Sequence, residues 1–149
     1  LLVLVPALLA TRGNVYGSLG ARISTALHQG LVEPRVRAGD ERLRAAVAAA
    51  LANGLVASAF AAVAAVVILT AIGTPVAPLP VLVAIAVLAG ILSGVALSAV
   101  VVTVVFAGYR RGRDPDTLVG PLVTTTGDVF GVLFLLGAVR LVLFVGGVV

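Results

Sequence analysis

The sequence predicts an all-α fold, a polytopic bundle of transmembrane helices, on three observations. Of 149 residues, 61% are hydrophobic and only 11% are charged, more apolar side chain than a water-soluble domain of this size can enclose. Several apolar stretches exceed the roughly 20 residues needed to cross a hydrocarbon core of about 30 Å. They also have helix length, whereas a membrane barrel shows alternating segments of about 10 residues.

Turn residues and charges divide the chain into four membrane segments, at about 1–30, 45–73, 80–109 and 117–149. The first, opening "LLVLVPALLA", is apolar to Ala10 and then small and polar. The second is Ala-rich, lacks a periodic motif and reads as scaffold. It follows the charged stretch "EPRVRAGDERLR", and the third follows the uncharged, turn-rich "GTPVAPLP". The fourth follows "RRGRDPD", where Asp114 and Asp116 flank Pro115 and Asp116 or Thr117 is the expected helix cap. The whole of residues 1–149 reads as one membrane domain. With no initiator Met and no basic leader before the first segment, it reads as part of a longer chain without a signal peptide.

Loop charge gives the expected orientation. Arg35, Arg37, Arg42 and Arg44 mark the first loop and Arg110, Arg111 and Arg113 the third, while the second loop has no charge. Arginine-rich short loops stay cytoplasmic, so the first and third segments run inward and both ends lie outside. This accounts for the net charge of +4 without nucleic acid. The absence of cysteine excludes disulfides, thiolate metal sites and cysteine nucleophiles. No cluster suits an enzyme or a bound cofactor.

Small residues at intervals of four, at Gly13, Gly17 and Ala21, at Gly90, Gly94 and Ser98, and at Gly127 and Gly131, predict close helix contacts. The chemistry is expected at Asp128, the single acidic residue of the fourth segment. A carboxylate near the bilayer centre costs at least about 2.5–3.5 kcal/mol, so it faces protein, a water-filled path or a cation. Thr124, Thr125 and Pro121 precede it by four, three and seven residues and share its face; the proline frees a backbone carbonyl along the same path. On the first segment Asn14, Ser18 and Arg22 recur every four residues, with Thr25 three further on. An oxygen-rich path with one carboxylate per chain suits Mg²⁺, which binds hard oxygen ligands and keeps several waters. Two copies on a two-fold axis would bring two Asp128 side chains to one divalent ion.

Residues 6–30, "PALLATRGNVYGSLGARISTALHQG", and residues 114–133, "DPDTLVGPLVTTTGDVFGVL", resemble two signatures of MgtE-type magnesium transporters, the first most like the eukaryotic solute-carrier branch. The resemblance implies a five-helix membrane domain of which this chain holds the last four helices, a homodimer or tandem pair in the plasma membrane, and Mg²⁺ carried between two copies. It also implies Asp128 as the principal metal ligand, with Thr124, Thr125 and Asn14 at the ion and Pro121 and Ser18 lining the path. Two other readings compete: a proton-coupled carrier using Asp128 as its protonation site, and a non-transporting subunit whose polar stripes are assembly contacts. As structural alternatives, Asp128 pairs with Arg22 or Arg140, although Arg140 reads as reaching the outer interface. His28 reads as interfacial, and Glu33, Asp40 and Glu41, interleaved with arginines, as a solvated loop.

Overall fold

The computed structural model describes residues 4–35 and 40–146, and the side chains of Leu4 and Asp116 lie outside that description. Four helices account for the architecture: α1 (Leu4–His28), α2 (Glu41–Ala71), α3 (Leu79–Arg110) and α4 (Pro115–Val145). Each boundary has a local cause. Asp40 caps α2 by accepting from the Leu43 backbone N–H at 3.0 Å, which starts that helix four residues before the apolar run. Pro115, rather than Thr117, opens α4, because proline needs no hydrogen bond at a first helical position; the Thr117 hydroxyl turns back to the Asp114 carbonyl instead. The first three helices end at Gly30, Gly73 and Gly112, each at φ between 65° and 69°. At all three ends the following N–H reaches back five residues to close the turn.

Helices α2, α3 and the Thr117–Val145 part of α4 are long and apolar enough to cross a membrane. The composition of α1 is more polar, yet it packs against all three other helices, so only its outer face meets the surroundings. α3 likewise touches the other three, whereas α2 and α4 do not pack together and lie on opposite sides of the α1/α3 pair.

The core has two apolar halves. One gathers Leu19, Ile23, Leu27, Leu97, Val101 and Val123, and the other Leu8, Ala62, Leu82, Ile85, Leu135 and Ala138. Between Leu8 and Leu19 on α1, and between Ala89 and Leu97 on α3, lies a thin polar layer containing Arg12, Ser58 and Ser93, all buried. Glycines let the helices close around it. A Cβ at Gly94 would collide with the Tyr16 hydroxyl, and one at Gly90 would sit 2.8 Å from Ser58 Oγ. The Gly90/Gly94 stripe is thus a packing seam, as its spacing predicts.

The ends of the bundle separate the loops. Tyr109 donates to the Leu27 carbonyl at 3.3 Å and Arg110 Nε to the Pro34 carbonyl at 2.5 Å. The two arginine-rich loops therefore share one end, with Arg37 outside the described residues, and the uncharged 72–78 loop is at the other.

Candidate functional site

Asp128 is close to the midpoint of α4, and its side chain is exposed on the outer surface of the bundle together with Pro121, Thr124 and Thr125. On α1, Asn14, Ser18, Arg22 and Thr25 are likewise exposed, opposite the buried line of Leu8, Arg12, Tyr16, Leu19, Ile23 and Leu27. Two contacts fix the register of these helices. A Cβ at Gly20 would collide with Val119, and one at Gly131 would sit 2.6 Å from both Leu9 Cδ2 and Arg12 Nη1. The helices are therefore antiparallel, and interpolation between the contacts puts Asn14 within about one turn of both Thr125 and Asp128. No hydrogen bond joins Asn14 or Ser18 to the four α4 positions among the described residues.

The hydroxyls present oxygen outward. Thr124 Oγ1 donates to the Gly120 carbonyl at 2.9 Å and Ser18 Oγ to the Val15 carbonyl at 2.7 Å. With each proton committed to its own helix, the lone pairs remain for a cation or for waters around one. Asp128 has no ion pair with Arg22 or Arg140. Arg140 instead borders a shallow depression with Gly137, Leu141 and Phe144.

The Gly13/Gly17/Ala21 stripe differs from its expected packing role. Nothing lies within 4 Å of a Cβ built on Gly13 or Gly17, and Ala21 is exposed; α1 meets α4 through Gly20 instead. These small residues border the Asn14/Ser18 stripe, and together they leave an open polar strip along an otherwise apolar bundle. Gly127 and Gly131 do face neighbours, Leu97 and the Leu9/Arg12 pair respectively.

The remaining candidates have local roles. His28 Nδ1 lies 2.9 Å from the Ser24 carbonyl, and its ring meets Tyr109 edge-on at 5.5 Å. Glu33, Asp40 and Glu41 border a depression of about 660 Å³ with Arg35 and Arg42 at the loop end of the bundle, where Asp40 is already engaged as a cap. Among the described residues no group of three or more His, Cys, Asp or Glu side chains is placed to hold a metal ion. At mid-helix, among the described residues, Asp128 is the single carboxylate, and the oxygens exposed near it, of Thr124, Thr125 and Asn14, are neutral.

Arg12 is the residue that sequence reasoning missed. It is only 5% exposed, and its Nε donates to Ser93 Oγ at 2.8 Å. The signal was present: counted by helical period, Arg12 falls on the same face as Leu8, Tyr16 and Leu19.

A family model described as MgtE, divalent cation transporter, matches residues 5–138 of the chain. No solved structure matches it.

Proposed function

The chain belongs to the MgtE family of divalent cation transporters, and from that premise we propose that it carries Mg²⁺ across the plasma membrane along a path between two copies of this domain. Its family is one of membrane transporters rather than enzymes, and its cargo is a divalent cation. On our reading residues 1–149 form a single membrane domain, with the two arginine-rich loops cytoplasmic. Asp128 is the principal ligand. Thr124, Thr125 and Asn14 supply oxygen at the ion, and Pro121 and Ser18 line the way to it. No resident cofactor takes part, and Mg²⁺ is the substrate.

One observation carries this reading: a carboxylate at mid-helix, on the outer surface of an apolar bundle, that makes no ion pair among the described residues. Facing lipid, that group would be costly. Facing its counterpart across a two-fold axis, with water and the α1 polar strip between them, it meets a cation instead. Two carboxylates balance one divalent charge, and the hydroxyl and amide oxygens accept hydrogen bonds from the waters that Mg²⁺ retains.

The test is Mg²⁺ uptake into proteoliposomes by wild type and Asp128→Asn, each checked for folding and oligomeric state. Uptake in the mutant is expected to fall at least about tenfold, since the amide keeps the shape and removes the charge. Equal uptake would make Asp128 a structural residue and end the proposal.

A further inference from the structure

We infer that Arg12 is the resident counter-charge of Asp128 in the empty transporter, the group an entering divalent cation displaces, and that it thereby sets discrimination against monovalent ions. The inference rests on the reading of Asp128 as the cation ligand.

Arg12 carries an unsatisfied charge. Ser93 Oγ, which accepts from Arg12 Nε, donates onward to the Ala89 carbonyl at 2.6 Å. That anchors one of the guanidinium's five N–H donors. Nη1 and Nη2 are buried with no hydrogen-bond partner. A buried cation in this condition is costly unless an anion comes to it.

The sequence allows one anion at this depth. Of the six acidic residues, Glu33, Asp40, Glu41, Asp114 and Asp116 stand in or beside the loops at one end of the bundle. Asp128 alone is at mid-helix. The structure brings the two charges to adjacent turns: Nη1 lies 2.6 Å from where a Cβ on Gly131 would sit, and Asp128 precedes that glycine by three residues. Side-chain origins three apart on a helix are about 5–6 Å from each other, so Nη1 is held within about 9 Å of the Asp128 Cβ. Gly131 leaves the gap between them open, and any larger residue there would occupy the guanidinium's place. Pairing requires rotamer changes at both residues, Arg12 swinging its guanidinium past Gly131 with Ser93 Oγ as the pivot and Asp128 turning inward to meet it.

Charge then decides which ions enter. A monovalent ion replacing the guanidinium exchanges one positive charge for another and gives up hydration to do so. A divalent ion attracts the same carboxylate twice as strongly at a given distance, so it wins the exchange. When it leaves, the tethered guanidinium returns and the carboxylate is not left bare in the membrane.

The experiment compares Arg12→Met, which keeps length and removes charge, with Arg12→Lys in the same proteoliposome assay, alongside Asp128→Asn. Arg12→Met is expected to lower the half-saturating Mg²⁺ concentration by about tenfold, the scale on which a neighbouring cation alters a carboxylate's charge equilibrium, and to make uptake sensitive to Na⁺. Arg12→Lys should stay near wild type in both. A wild-type half-saturation and Na⁺ insensitivity in Arg12→Met overturn the inference. If Arg12→Met does not fold, Ser93→Ala substitutes, since loosening the anchor should shift half-saturation in the same direction; no shift there is equally fatal. In cation-free detergent, Arg12→Met and Asp128→Asn should be non-additive in melting temperature, and where Asp128 is intact saturating Mg²⁺ should shrink the effect of Arg12→Met. Uptake retained in Asp128→Asn removes the functional reading itself, whereas uptake lost there with Arg12→Met unchanged removes only the role of Arg12.

Discussion

Individual glycines show how the same residue type serves two purposes. A Cβ on Gly94 would strike the Tyr16 hydroxyl and approach Leu51 Cδ2 to 3.0 Å; Tyr16 is 2% exposed and has little room to retreat. Gly94→Ala is expected to destabilise the protein by about 1–3 kcal/mol, as overpacking of a close-packed site does, read as a lower melting temperature in detergent. Gly17→Ala meets nothing within 4 Å. It should leave the melting temperature unchanged or raise it, because alanine favours helix by up to about 1 kcal/mol over glycine. Spacing alone treats these positions alike, since both belong to runs of small residues four apart. What separates them is the neighbour the fold supplies, and that is not written in either run. Asp128 stands out in the sequence for a simpler reason, being the one acid in a long apolar segment. Arg12 was legible only by counting its phase against Leu8 and Tyr16, because a basic residue beside Gly13 and Asn14 otherwise merges with the polar strip.

Whole elements were the clearest part of the sequence. Apolar length marks three of the four helices and turn and charge boundaries delimit the more polar α1, while "HQG", "IGT" and "RGR" mark three helix ends where glycine adopts the left-handed conformation. The start of α2 was harder to read. Glu41 to Arg44 are charged at three of four positions and resemble loop, yet Asp40 accepts the Leu43 N–H and draws them into the helix. Asp40→Ala should cost about 1 kcal/mol and show as faster amide exchange over the first turn of α2, with exchange in α3 unchanged. Uniformly faster exchange across the bundle would assign Asp40 a wider role than capping. The polar character of α1 follows from its position between the other helices: its buried face needs apolar side chains, while its outer face carries the hydroxyls and amide of the strip.

At the scale of the molecule, the bundle presents two kinds of outer surface. On α2, Phe60 is 72% exposed among alanines and valines, a surface suited to lipid. On α1 and α4, Asn14, Ser18, Thr124, Thr125 and Asp128 are exposed at the middle of their helices, a surface suited to water and to a second copy. A partner surface and its symmetry are not written in one sequence, because composition does not fix the symmetry of an interface. The central claim is that the polar strip faces its counterpart. It is tested most directly by placing single cysteines in this cysteine-free chain, at Thr125 or at Phe60, and treating membranes with a short bifunctional thiol reagent. The account predicts cross-linked dimers from Thr125→Cys, reduced when Mg²⁺ occupies the path, and none from Phe60→Cys. Dimers formed through Phe60 and not through Thr125 would put the partner on the other side of the bundle and contradict it.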